Sequence, residues 1–138
     1  MKLYAVKVIL GFLVIVGKLG VIILILSVHF INKGFLPEQL TTTIGLVTPI
    51  FAASVTAIVA YFLKENFNKD KATVVSAPRV VVTFLFPTLL ITYLVAMVFL
   101  KINYQFDSFE TFKGMFVIGE TTFGIYFTQI MKKYFSVK

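Results

Sequence analysis

Two residues stand where side chains of their type are costly. Lys18 lies inside the apolar run 8–31, and Glu120 lies inside the run 109–131. Each is about ten or eleven residues from the end of its run that shares a side with the chain termini. At 1.5 Å rise per residue both fall about 15–17 Å deep, near the middle of a hydrocarbon layer about 30 Å thick. A charge there costs about 2.5–3.5 kcal/mol on insertion scales. Equal depth and opposite sign therefore predict a Lys18–Glu120 ion pair, formed within one subunit or between subunits. The alternative is that Lys18 reaches along its stem towards the interface while Glu120 bonds a neighbouring threonine.

Wound at about 100° per residue, Lys7, Gly11, Lys18 and His29 fall on one narrow line along the first run. Ionisable residues on such a line face a bundle interior or a water-filled path, so these four are the candidate pore-lining stripe. The plainer reading is that Lys7 and His29 only mark the two interfaces. In the run 41–63, Thr41, Gly45, Thr48, Pro49, Ala52 and Thr56 share a face within about 60°, a small-residue surface suited to close helix packing. Pro49 and Pro87 each remove a helical hydrogen bond, so a kink or looser turn is expected at both.

Catalysis has little to work with. The chain has one histidine and no cysteine. It shows no Ser-His-Asp set, no paired carboxylates, no phosphate-cradling glycine loop and no metal-ligand spacing. The expectation is a protein that is not an enzyme and needs neither cofactor nor metal.

Four runs of roughly 20 residues carry these features, each long enough to cross a bilayer. They cover about 8–31, 41–63, 79–100 and 109–131, and they leave no room for a separate folded domain. With 59% apolar and 14% charged residues in 138, the chain departs from a soluble domain, which holds about 45–50% and about 25%. The start Met1-Lys2-Leu3 looks like a signal peptide. The apolar run is too long for one and no A-x-A-like cleavage site follows, so it is expected to stay as the first helix. Asp107-Ser108-Phe109-Glu110 offers an N-cap and a capping-box acid for the fourth run. Short connections at about 32–40, 64–77 and 101–108 favour antiparallel neighbours. The fold expected is an all-α membrane protein of one domain over 1–138, four transmembrane helices in an up-down bundle.

Nine basic residues (Lys2, Lys7, Lys64, Lys69, Lys71, Arg79, Lys132, Lys133, Lys138) fall on the side of the termini, and three (Lys33, Lys101, Lys113) on the other. This bias places both termini in the cytoplasm and argues against dual topology. The net charge of +7 sits beside membrane runs, where it meets anionic lipid headgroups rather than nucleic acid. Lys64, Lys69, Lys71, Arg79, Lys132 and Lys133 are the candidate lipid contacts, or the contacts of a soluble cytoplasmic partner. In length and four-run plan the chain resembles the small channel proteins of phage-exclusion systems. That resemblance implies a bacterial or phage inner-membrane protein that conducts ions, with a role in defence. Small multidrug exporters share the size but carry their glutamate in the first helix among tryptophans, which this chain does not. Four helices enclose too little space for a wet pore, so conduction requires a homo-oligomer. The alternatives are a membrane anchor or sensor that docks a soluble partner, and a small proton-coupled exporter using Glu120.

Overall fold

The computed structural model describes residues 1–32, 34–63, 68–103 and 105–135, with the side chains of Asn32, Asn68, Lys69, Met131 and Lys132 outside that description. Among these residues the chain is all-helical. Helix α1 spans Leu3–Ser27 and continues through one π turn, Val28–Asn32. It is followed by α2 (Pro37–Phe62), the short α3 (Asn68–Ala72), α4 (Ala77–Ile102) and α5 (Phe109–Tyr134). Three segments, Leu3–Ile31, Pro37–Phe62 and Ala77–Ile102, are long and apolar enough to cross a membrane. α5 matches α2 and α4 in length but is diluted by Glu110, Lys113, Glu120 and Gln129.

Most helices begin earlier than the apolar runs suggest, and local chemistry explains why. Pro37 fills the first turn of α2, where its missing N–H is no loss. Gln39 Oε1 accepts the Leu36 N–H at 3.2 Å. Leu3, at the head of α1, donates its N–H to Thr73 O at 2.8 Å, and Val75 donates to Met1 O at 2.8 Å. The chain start is thus stapled antiparallel to the segment before α4, through a bridge of Lys2 with Val74. At α5 the cap is Ser108, whose Oγ accepts the Thr111 N–H at 3.3 Å. The expected capping-box acid, Glu110, makes no such bond among the described residues.

The main packed pairs are α1 with α2 and α4, and α5 with α4 and α2. α1 therefore faces α5 across the bundle interior. Gly11 meets Ile58 and Phe62 near the end of α2, whereas Gly17 meets Ile91 of α4. α2 and α4, although consecutive long helices, are not among the main packed pairs. The connection between them carries α3, which packs on α1, so the chain crosses the end of the bundle before α4 begins.

Two apolar clusters fill the interior. One holds Val6, Leu10, Val14, Ile58, Phe123, Phe127 and Tyr134 near the chain start. The other holds Val21, Ile25, Phe35, Val47, Leu94, Phe112 and Phe116 towards the opposite end. The outer surface is apolar too, with Phe12, Ile23, Val81, Leu89, Ile118 and Ile125 all exposed. That is the surface of a helix bundle solvated by lipid. Its threonines fit because they bond their own helix: Thr48 Oγ1 donates to Ile44 O at 2.7 Å, Thr56 to Ala52 O at 2.8 Å, and Thr88 to Phe84 O at 2.7 Å.

Candidate functional site

The structure brings Lys18 and Glu120 together. Lys18 Nζ donates to Glu120 Oε1 across the interior, from α1 to α5, between positions 102 apart in the chain. Both side chains are buried, at 0% and 4% exposure, in the gap between the two apolar clusters. The ammonium also lies 4.7 Å from the centroid of the Phe123 ring, within cation–π range. Glu120 Oε2 is buried without a hydrogen-bond partner among the described residues. A carboxylate accepts at both oxygens, so half of this group's capacity is unused in a medium where that is costly.

Each charge is preceded by a glycine, and those glycines position the pair. A Cβ on Gly17 would lie 2.3 Å from Ile91 Cδ1, and one on Gly119 would lie 2.6 Å from Tyr93 Cε1 and 2.9 Å from Leu94 Cδ2. α4 therefore seats on Gly17 of α1 and Gly119 of α5 at one level. The close approach of both helices to α4 lets Lys18 and Glu120 meet beside it. Tyr93 completes the seat by donating its hydroxyl to Met115 O at 2.7 Å. More than two turns of α4 from Ile91 towards the chain start, Thr83 and Tyr134 share a buried hydroxyl–hydroxyl bond of 3.1 Å, and the Tyr126 hydroxyl donates to Thr83 O at 2.6 Å.

A second polar cluster closes the end that holds the chain start. Asp70 of α3 accepts from Lys7 Nζ at 3.0 Å and from the Tyr61 hydroxyl. Lys7 Nζ stands 4.5 Å from the Tyr61 ring centroid. At the other end, Lys101 Nζ donates to Gly34 O at 2.9 Å and lies 5.1 Å from the Phe35 ring. His29 Nδ1 bonds Phe35 O at 2.7 Å, which holds the buried Phe35 ring against Phe112 at 5.6 Å.

The four residues of the stripe, Lys7, Gly11, Lys18 and His29, have different surroundings: His29 is held to Phe35 O. Lys7 and Lys18 are buried in ion pairs, and Gly11 is covered by Ile58 and Phe62. The small face of α2 is turned outward: Thr41, Gly45, Thr48, Pro49, Ala52 and Thr56 are exposed, and a Cβ on Gly45 would meet nothing. Gly45, Pro49, Ala52 and Thr56 are thus not on the face that α2 buries, which holds Thr43, Val47, Ser54, Ile58 and Tyr61. α2 and α4 run unbroken through Pro49 and Pro87, and Pro87 is buried. Of the basic candidates, Lys71 lies 5.5 Å from the Tyr4 ring, and Arg79 and Lys133 are exposed. Lys64 and the side chains of Lys69 and Lys132 lie outside the described residues.

Sequence reasoning did not single out Asp70 with Tyr61, nor Gly119 as the seat of α4. The partners of Asp70 are 63 and 9 residues away, and no helical period links them. For Gly119 a usable signal existed, a glycine immediately before each buried charge.

Compared with known protein families, curated proteins and solved structures, the chain matches none, so its function is argued from this geometry.

Proposed function

We propose that this chain is a four-span integral membrane protein that acts, as a homo-oligomer, as an ion-conducting or membrane-permeabilising channel held closed by the Lys18–Glu120 pair. The observation that carries the reading is that buried pair, with its spare oxygen, set between two apolar clusters. An apolar pair of similar volume would serve packing as well or better. Ionisable residues kept inside a membrane mark ion or proton pathways. The phenylalanines on either side, Phe123 and Phe127 on one and Phe112 and Phe116 on the other, suit constrictions that exclude water until the bundle loosens.

The fourth span is α5. Its 26 residues extend about 39 Å at 1.5 Å each, and it turns Glu120 inward while Ile118 and Ile125 face out. The nine-to-three excess of basic residues supports cytoplasmic termini in a bacterial inner membrane. The outward small face of α2 suits contact between copies. Once the pair parts, Lys18 on the path favours anions. A membrane effector in bacterial or phage defence is the setting that the four-span plan suggests.

A second reading, a membrane anchor that docks a soluble cytoplasmic partner, draws on α3. The Asp70 cluster and the Lys2–Val74 bridge fix that helix as a platform. Ion flux from liposomes separates the two readings, with wild type measured beside Lys18→Met and Glu120→Gln. The channel reading expects either substitution to raise flux at least about tenfold, the factor that 1.4 kcal/mol on a closed–open equilibrium supplies. Equal flux from all three proteins, with the oligomer intact, overturns it in favour of the anchor.

A further inference from the structure

We propose that the groove between the first turn of α4 and the last turns of α5 binds the headgroup of an anionic phospholipid. Arg79 and Lys133 stand at its mouth, with Val82 and Ile130 along its walls and Tyr134 and Thr83 at its floor. Val82 follows Arg79 by three positions, and Lys133 follows Ile130 by three. On both helices the charge therefore lies about one turn, roughly 5 Å, from the apolar wall beyond it. That vertical order, cations at the membrane boundary and hydrocarbon one turn deeper, matches a phosphate joined to an acyl chain. It does not match a free anion, which has no use for the apolar walls.

Charge complementarity is one-sided here. No carboxylate lines the groove, and neither Arg79 nor Lys133 forms an ion pair among the described residues. The floor hydroxyls satisfy each other, since Thr83 and Tyr134 are bonded at 3.1 Å, so the unmet demand is at the cationic rim. Arg79 is the chain's only arginine. Its planar fork is the side chain best shaped to take two phosphate oxygens at once, with Lys133 as a second point charge. The first turn of α4 carries no acidic residue that would compete.

The inference rests on the membrane reading but not on conduction. The test uses full-length protein reconstituted in vesicles of phosphatidylcholine with one tenth phosphatidylglycerol, then extracted gently, with the retained lipid counted by native mass spectrometry. Wild type should retain phosphatidylglycerol above its share in the vesicle. Arg79→Gln with Lys133→Gln should lower that enrichment by about tenfold to thirtyfold, the effect of two basic side chains at a membrane surface, and each single change should lower it in part. Lys2→Gln removes one charge at the same end outside the groove, and should leave unchanged the enrichment that each single groove change lowers. Millimolar inorganic phosphate should not displace the lipid. An unenriched wild type, an undiminished Arg79/Lys133 variant, a loss in the Lys2 control equal to that of a single groove change, or displacement by phosphate would each overturn the proposal. Release of wild type from vesicles by alkaline carbonate would instead refute the membrane reading itself.

Discussion

Replacing Glu120 by glutamine leaves the Lys18 ammonium buried without a carboxylate, and what remains around it sets the penalty. Lys18 is fully buried, so water does not rescue it in the closed bundle. Removing one partner of a buried pair costs about 3–5 kcal/mol. The Phe123 face, 4.7 Å from Nζ, returns about 0.5–2 kcal/mol. The net expectation for Glu120→Gln is a loss of about 2–4 kcal/mol. Lys18→Met should cost about as much, because it strands a carboxylate that already has one unsatisfied oxygen. The double change Lys18→Met with Glu120→Met removes both charges at little cost in volume and should be neutral or stabilising by about 1–4 kcal/mol. The cycle is measurable by reversible unfolding in mixed detergent micelles, followed by circular dichroism. Single variants within about 0.5 kcal/mol of wild type, or a double variant equal to the sum of the singles, would refute the pair as an energetic unit.

Two further outcomes follow from the packing. Gly119→Ala should destabilise the bundle by about 1–3 kcal/mol, because the new methyl meets the Tyr93 ring at 2.6 Å and Leu94 at 2.9 Å; Gly45→Ala, facing open space, should be neutral or gain up to about 1 kcal/mol of helix propensity, and unfolding midpoints compare them. Asp70→Asn weakens the acceptor shared by Lys7 and Tyr61, so amide exchange should speed up at Leu3 and Val75, whose N–H groups hold the chain start to the segment before α4, while the core around Leu94 keeps its protection.

The meeting of Lys18 and Glu120 was legible because depth in a bilayer is a linear function of residue number. Two opposite charges at one depth constrain each other even when 102 residues apart. The burial of α1 was legible for a related reason: Val6, Lys7, Leu10, Gly11, Val14, Lys18, Val21 and Ile25 recur at intervals of one, three and four along one face. The outward turn of the small face of α2 was not. Periodicity finds a face but does not say whether the chain's own helices or something outside covers it, and in lipid both faces of a helix are apolar. The order of the helices round the bundle was equally hidden, because it depends on α3 carrying the connection across one end. Asp70 reads as one charge in a solvated loop until α3 sets it beside Lys7 and Tyr61. The groove at Arg79 and Lys133 needed the structure to bring the start of one helix to the end of another.

The most direct test of the proposal that the pair holds a channel closed is a charge exchange read by ion flux. Lys18→Glu and Glu120→Lys are made singly and together, and efflux from liposomes is compared with wild type at equal protein content. Each single change sets like charges against each other at the centre of the bundle and should raise efflux well beyond tenfold. The exchanged pair restores opposite charges in reversed order and should return efflux to near the wild-type rate. If the exchanged protein leaks as fast as the worse single variant, or if all four proteins leak alike, the pair does not hold the bundle closed.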